Sequence, residues 1–305
     1  MLKPQTFRPD DPLRALGIRP AAAALEEAQL REIAVLKARL AKRDWLLACR
    51  AKLEAQASRD VPRLHAPDPE HFFREHWCLL RPCVLTGLVD HWPARQLWSL
   101  DHFRSFGNPD VEVQTARESD PDFEIRSPEH RTRMPWQQLL DLLAEDRTTN
   151  DFYVTANNGS VNRKALARLW DEIGPVPGFL AKNRMGDGFF WMGPRGTITP
   201  WHHDLTQNFL LQLAGEKRVT LAAPHATPAM QNHRHCFSRF GQEARPAQGP
   251  ETFTVTIGPG EILFIPVGWW HHVEGLSMTI GMSFTNFVWD NDFESFLPPA
   301  ARGDL

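Results

Sequence analysis

The sequence predicts a mainly β domain, an antiparallel sandwich or barrel with flanking helices, preceded by a helical extension. From Gly188 to Trp289, short apolar runs alternate with turns that contain Gly, Pro or Asn, which is typical of many short strands joined by tight connections. Residues 21–56 contain no Pro or Gly and are rich in Ala, Leu, Glu, Lys and Arg, which favour helix. A proline-rich stretch over 62–69 separates the two patterns.

These patterns divide the 305 residues into four segments. We expect a flexible lead over 1–20, a helical segment over 21–57, the main domain over 60–295 and a tail over 296–305. In the helical segment, apolar residues recur at three- to five-residue steps and form a stripe that needs a partner surface, either the main domain or a second subunit of a homodimer. The stripe consists of Leu25, Leu30, Ile33, Leu36 and Leu40.

Three further elements are predicted before the β-rich part. The run RPCVLTGLVDHWPA (81–94) places apolar and β-branched residues before Gly87, which indicates a strand followed by a turn. Residues 134–145 have helical spacing of apolar side chains, and residues 151–156 have the composition of a strand.

Composition excludes several classes of protein. Lys and Arg number 34 against 37 Asp and Glu, so no basic surplus points to nucleic acid or to an anionic membrane. No apolar run reaches the ~20 residues that span a bilayer, and the first residues lack the apolar core of a signal peptide. We therefore expect a cytoplasmic protein. Its four cysteines form no Cys-x-x-Cys pair, which predicts reduced, packed thiols.

Two His-x-acid triplets are present, which is about the number that chance gives for 13 histidines. The triplet His202-His203-Asp204 stands out by its context. In a strand, His202 and Asp204 project from one face, and Asn208 and Gln212 continue that face if no bulge intervenes. Burying such polar groups is costly unless they coordinate something. A turn at residues 214–216 then leads to Lys217 at the start of the returning strand.

If His202 and Asp204 are two ligands of a metal ion, the segment GPGEILFIPVGWWHHV (258–273) supplies a third. Gly260, Pro266, Gly268 and His271 follow the spacing Gly-x5-Pro-x-Gly-x2-His, which resembles the second sequence motif of cupins. That spacing selects His271 over His272. Two imidazoles and one carboxylate on one face of an octahedral metal leave three positions open, as in iron(II) oxygenases.

With these motifs, the chain resembles the cupin-type branch of the JmjC family of iron(II)- and 2-oxoglutarate-dependent oxygenases, and within it the asparaginyl hydroxylase that inhibits the hypoxia-inducible factor. The resemblance covers about residues 70–290, including the run at 81–94. It implies a double-stranded β-helix, or jelly roll, with Fe(II) held by His202, Asp204 and His271. The 2-oxoglutarate pocket that it implies consists of Lys217, Thr199, Asn208, Asn286 and Tyr153.

The chemistry of these residues suits 2-oxoglutarate. Its far carboxylate needs a cation and hydroxyl donors, which Lys217 and Thr199 could supply. Tyr153 is the only tyrosine beside 11 tryptophans and 19 phenylalanines, which favours a need for its hydroxyl over the alternative, a tyrosine that simply packs. The alternatives are a hydrogen-bonded cluster in place of the metal site, an ordinary hairpin-edge lysine at 217, and asparagines that serve only turns.

The resemblance implies an enzyme that consumes O2 and 2-oxoglutarate and hydroxylates an amino-acid side chain of a protein or peptide. Loops around 107–133 and 225–250 border the predicted sheet ends, where we expect substrate to be selected. The alternatives are a hydroxylase of a small molecule or RNA, a cupin dioxygenase or isomerase without a cosubstrate, and a non-catalytic cupin-like binding protein.

Overall fold

The computed structural model describes residues 21–56, 60–181 and 187–297. The predicted lead over 1–20, and the predicted tail from residue 298 onward, lie outside the described residues. The chain divides into two compact units, residues 1–57 and 58–305.

The described part of the first unit is a single helix, α1 (Ala21–Glu54), of 34 residues. Ion pairs one turn apart, such as Arg31 with Glu27, support it at its surface. In the predicted stripe, the side chains of Leu30, Ile33, Leu36 and Leu40 are exposed. A homodimer formed through this helix stays a prediction. None of the helices within the described residues combines the length and apolar character needed to cross a membrane.

The second unit contains the β domain. Its strands are β1 (Arg63–His65), β2 (Cys83–Thr86), β3 (Asp110–Gln114), β4 (Arg131–Pro135), β5 (Phe189–Gly193), β6 (Ile198–His203), β7 (Asn208–Ala214), β8 (Lys217–Ala222), β9 (Asn232–Arg234), β10 (Phe237–Ser238), β11 (Phe253–Ile257), β12 (Ile262–Ile265), β13 (Trp270–Gly275) and β14 (Thr279–Phe284). Its α-helices are α2 (Pro69–Phe72), which continues as a π-helical turn (Phe73–Trp77), α3 (Ala94–Leu97), α4 (Leu100–Arg104), α5 (Trp136–Ala144) and α6 (Gly159–Ala165). Short 3₁₀ turns lie at Arg117–Ser119, Ser127–His130, Ala156–Asn158, Ala167–Asp171, Pro224–Ala229 and Glu294–Phe296.

Two six-stranded sheets form the body of the domain. One has the order β1-β2-β12-β7-β14-β5 and the other β11-β8-β13-β6-β10-β9. Among the strands from β5 to β8 and from β11 to β14, each strand and its successor belong to opposite sheets. This alternation builds the jelly roll, so the predicted double-stranded β-helix is confirmed. Strands β3 and β4 pair separately.

The first sheet is buried on both faces, which explains its nearly continuous apolar strands. In β12, Leu263 and Ile265 join the core between the sheets, while Ile262 and Phe264 face a second core on the other side. That second core includes α5 and an aromatic cluster in which Phe72 contacts Phe264 and other rings. A sheet covered on one face only would have shown strict alternation of apolar and polar residues.

The turn between β7 and β8 requires a glycine and sets the start of β8. Gly215 has φ +71°, and a Cβ there would lie 1.9 Å from the carbonyl oxygen of Met278. The tight turn places Lys217 opposite Ile257 on one side and Gly275 on the other.

Two predictions about the segment before β5 need comparison with the structure. The predicted helix over 134–145 is present as α5. The predicted strand over 151–156 is wrong as a continuous strand, because only Tyr153 and Val154 form isolated bridges, to Gln114 and Met192. Thr155 ends it by capping the helical turn that follows.

The residues between β3 and β4, 115–130, form a loop that is closed by a charged cluster. Arg126 Nε donates to Asp120 Oδ2 at 2.8 Å, and the His130 ring lies 2.9 Å from both Asp120 Oδ2 and the Thr115 carbonyl oxygen. The hydrogen bonds from Arg126 hold the pKa of the Asp120 carboxyl well below its usual range. The ionised carboxylate therefore stabilises the closed loop.

Replacing Asp120 with Asn should lower the free energy of unfolding by about 1–2 kcal/mol at pH 7, because charge-assisted hydrogen bonds are lost. Since the folded pKa is depressed, this contribution is present above the unfolded carboxyl pKa of about 3.9 and is lost progressively as pH falls from there through the folded pKa. Urea unfolding of wild type and D120N at pH 7 and pH 3.5 measures the difference. The control D122N, which removes a carboxylate 3.9 Å from the nearest guanidinium nitrogen of Arg126, should change stability little. An equal loss in both variants would contradict the assignment.

Candidate active site

The three predicted metal ligands meet at one end of the second sheet. His202 lies in β6, Asp204 directly after it, and His271 in the neighbouring strand β13, where it pairs with His202. Nε2 of His202 lies 3.9 Å from Asp204 Oδ1, and Nε2 of His271 lies 3.9 Å from Asp204 Oδ2. One ligand atom from each residue fits within 4.8 Å of the others. The structure thus brings the predicted His-Asp-His set together.

Hydrogen bonds to the backbone orient both imidazoles. Nδ1 of His202 lies 2.8 Å from the carbonyl oxygen of Pro200, and Nδ1 of His271 lies 3.0 Å from that of Trp269. An Nδ1–H that donates to a carbonyl leaves the Nε2 lone pair free for a cation. Asn208 Nδ2 donates to Asp204 Oδ2 at 2.9 Å and fixes the carboxylate in the same way.

The charge states of His271 and Asp204 suit a divalent cation. Burial and the neighbouring His202 lower the pKa of His271 to about 4, so this imidazole is neutral at physiological pH. Burial by itself would raise the pKa of Asp204, but His271 and His202 outweigh it and the pKa is lowered. Neutral imidazoles and an ionised carboxylate are the forms that bind metal.

A cavity of about 260 Å³ lies beside the three residues. The predicted residues Lys217, Thr199, Asn208 and Tyr153 line it together with His202, Asp204 and His271. Among the described residues, Asn208 Oδ1 is buried there without a hydrogen-bond partner. The cavity therefore contains an acceptor that the described residues leave unused.

Lys217 places a buried ammonium at this cavity. Its side chain is at the first position of β8, and the residue is 1% exposed. The ammonium faces the rings of Tyr153 and Trp191, with centroids at 5.7 and 5.6 Å, and makes no hydrogen bond or ion pair within the described part of the chain. A buried ammonium without an acid partner is costly, so an anion in the cavity would stabilise it.

Tyr153 is placed by contacts on two sides. Its backbone bridges to Gln114 at the end of β3, and its ring packs where Gly193 leaves room. A Cβ on Gly193 would lie 2.5 Å from the Tyr153 ring. The position of the Tyr153 ring beside Lys217 therefore requires a glycine at position 193.

Two residues predicted on this face lie elsewhere. Gln212 is buried, and its side-chain amide donates to the Ala214 carbonyl beyond the cavity. Asn286 does not line the cavity, and its Nδ2 donates to the Ala181 carbonyl at 3.4 Å. Ser283 and Thr285 line the cavity instead. Alternation along β14 places odd-numbered residues inward there, so strand parity could have found them.

Comparisons with known proteins agree with this site. Residues 69–295 match the family model described as a cupin-like domain. Lysine-specific demethylase 8 of Xenopus tropicalis is 28% identical over 73% of this chain and 52% of that protein. The bifunctional peptidase and (3S)-lysyl hydroxylase JMJD7 of Homo sapiens is 27% identical over 77% of this chain and 85% of that protein. The tRNA wybutosine-synthesizing protein 5 of Homo sapiens is 24% identical over 75% of this chain and 77% of that protein.

The match spans 52–60% of the length of the first three curated relatives. The closer likeness to the asparaginyl hydroxylase that inhibits the hypoxia-inducible factor stays a prediction. The family match covers most of the chain and includes all three residues of the His-Asp-His set. The chain therefore belongs to the cupin-like JmjC family of iron(II)- and 2-oxoglutarate-dependent oxygenases.

Proposed function

We propose that this protein is an iron(II)- and 2-oxoglutarate-dependent dioxygenase that hydroxylates an amino-acid side chain of a protein or peptide. The observation that carries the proposal is the Lys217 ammonium, which has no ion-pair partner among the described residues and is buried in the cavity that the His-Asp-His residues line. A plain metal-binding cupin has no need of such a cation. A dicarboxylic acid that contacts the metal with one end requires a cation to bind the carboxylate at its other end.

The donor groups present fit both partners of the reaction. His202, Asp204 and His271 would hold Fe(II), which two imidazoles and a carboxylate suit. Lys217 would bind the far carboxylate of 2-oxoglutarate, with Thr199 and Tyr153 as hydroxyl donors. When bound, the iron and 2-oxoglutarate supply the oxidising power to insert an oxygen atom from O2 into a C–H bond.

The chain's own residues orient these partners and keep the site dry. Asn208 holds the Asp204 carboxylate through Nδ2, and its Oδ1 remains available to a bound group. Trp201 and Trp270, both at most 1% exposed, pack together behind the β6–β13 pair and exclude water from that side.

A protein or peptide substrate is favoured over the alternatives. Two of the relatives above are named for lysine chemistry, a demethylase and a lysyl hydroxylase, and one for tRNA modification. The net charge of −3 favours a protein over RNA. We propose the cytoplasm as its location.

The proposal predicts succinate formation from 2-oxoglutarate when the protein is supplied with Fe(II), ascorbate and O2. Incubation with a peptide library should add one oxygen atom to a side chain, detected by mass spectrometry. Succinate without any modified peptide would redirect the search to RNA and small molecules. Failure to retain a metal, together with no succinate in any mixture, would favour the non-catalytic binding protein.

A further inference from the structure

The loop over 115–130 brings one more carboxylate to the cavity. Glu124 lines the cavity together with the His-Asp-His residues, and its side chain is only 7% exposed. Neither the proposed metal site nor the proposed 2-oxoglutarate site uses this group.

The Glu124 carboxylate is held by two donors, one on each oxygen. Arg117 Nη2 donates to Oε1 at 3.2 Å, and Asn157 Nδ2 donates to Oε2 at 3.2 Å. Arg117 is fully buried, with its guanidinium 4.2 Å from the Phe123 ring centroid and 5.0 Å from that of Tyr153. These contacts fix the carboxylate relative to the site.

Arg117 also ties the loop to the metal strand. Its Nη2 donates to the carbonyl oxygen of Ile198 in β6 at 2.7 Å, which is shorter than its bond to Glu124. Nη2 is therefore shared between the Glu124 carboxylate and the Ile198 carbonyl.

The carboxylate has acceptor capacity left. An ionised carboxylate offers about four acceptor sites, of which two are used here. Both bonds are longer than the ~2.7–2.9 Å of a strong charge-assisted pair. The remaining sites accept from N–H or O–H donors, and the charge of the carboxylate favours a cationic donor over a neutral one. A neutral acceptor or an anion would be repelled. Phe189 and Phe237 line the same cavity and give apolar walls for the stem of a long side chain.

We propose that Glu124 is a specificity-determining residue that receives the cationic end, ammonium or guanidinium, of the substrate side chain. The inference rests on the proposed function and narrows its substrate class to basic side chains. Arg117 and Asn157 act as positioning residues that present the carboxylate.

The test uses peptide pools that share a randomised background and differ at one central residue, which is Lys, Arg, Gln, Met or Glu. Wild-type protein with Fe(II), ascorbate and 2-oxoglutarate should add oxygen to the Lys or Arg pool at least about tenfold faster than to the Gln, Met and Glu pools. Mass spectrometry locates the oxygen, and succinate is measured in parallel.

Glu124→Gln keeps the shape of the side chain and removes its charge. The variant should lower kcat/KM for the preferred cationic pool at least about tenfold, mainly through KM, because a desolvated charge pair is lost. Glu124→Asp, which keeps the charge, should retain the preference for the cationic pool. Glu129→Gln changes an exposed carboxylate of the same loop and should leave the ranking of the pools unchanged.

The outcomes separate this inference from the function on which it rests. Succinate formation with a neutral or acidic pool preferred, or a cationic preference that Glu124→Gln leaves unchanged, overturns the role of Glu124 while the proposed function stands. No succinate with any pool overturns the proposed function and this inference with it. If thermal unfolding shows that Glu124→Gln does not fold, the wild-type ranking and the Glu124→Asp variant decide.

Discussion

Replacing Lys217 with Met should raise the Kd for 2-oxoglutarate by at least about 30-fold, because truncating one partner of a buried charge pair costs about 2–5 kcal/mol. Lys217 is 1% exposed and makes no ion pair within the described part of the chain, so a bound carboxylate would compensate its buried charge. Calorimetric titration of 2-oxoglutarate into the protein loaded anaerobically with Fe(II) measures the effect.

The same variant tests whether the lysine is present for binding or for stability. In the absence of 2-oxoglutarate, K217M should leave the free energy of unfolding unchanged or raise it, since a buried unpaired charge is replaced by an apolar group of similar volume. Arg218→Met is the matched control, because Arg218 is exposed and pairs with Glu274 at 2.9 Å. Loss of stability in K217M with an unchanged Kd would show that Lys217 is an ordinary structural residue.

Replacing Asp204 with Asn should abolish succinate formation and weaken metal binding by at least about 100-fold. The carboxylate is the one anionic ligand of the His-Asp-His set, and each imidazole Nε2 lies 3.9 Å from one of its oxygens. Without it, two neutral imidazoles remain, which bind a divalent cation far more weakly. Metal content after dialysis and calorimetric titration with Fe(II) under argon give the readouts.

The chain offers a control of matching chemistry for this variant. The second His-x-acid triplet, at 272–274, contains Glu274, whose carboxylate pairs with Arg218 at the surface. Glu274→Gln should leave both the metal stoichiometry and succinate formation unchanged. Equal loss of metal in D204N and E274Q would mean that the ion binds elsewhere.

The metal residues could be predicted because their positions are fixed by local rules. Residues two positions apart on a strand have side chains on the same face. The spacing of glycine and proline before His271 defines a turn, which fixes where β13 starts. The pairing of His271 with His202 then follows from the fold. Asn286 came from the resemblance and not from such a rule, and it does not line the cavity, where Ser283 and Thr285 do.

Other parts of the site depend on contacts between distant segments, which a single sequence does not reveal. Glu124 reaches the cavity because Arg117 ties its loop to β6, and Asn157 meets it there from the separate turn Ala156–Asn158. Neither path can be read from local sequence. The segment around Tyr153 looked like a strand, yet only two of its residues pair, because Thr155 begins a helical turn. Local composition favours a strand over 151–156, but the cap formed by Thr155 ends the strand pairing after Val154.

The most direct measurement is a crystal structure of the protein grown anaerobically with Fe(II) and 2-oxoglutarate. We expect one ion bound by Nε2 of His202, a carboxylate oxygen of Asp204 and Nε2 of His271, at distances of about 2.0–2.2 Å. The dicarboxylate should bridge from that ion to the ammonium of Lys217. An ion held by other residues, an imidazole of His271 outside the coordination sphere, or a dicarboxylate bound away from Lys217 would contradict the account.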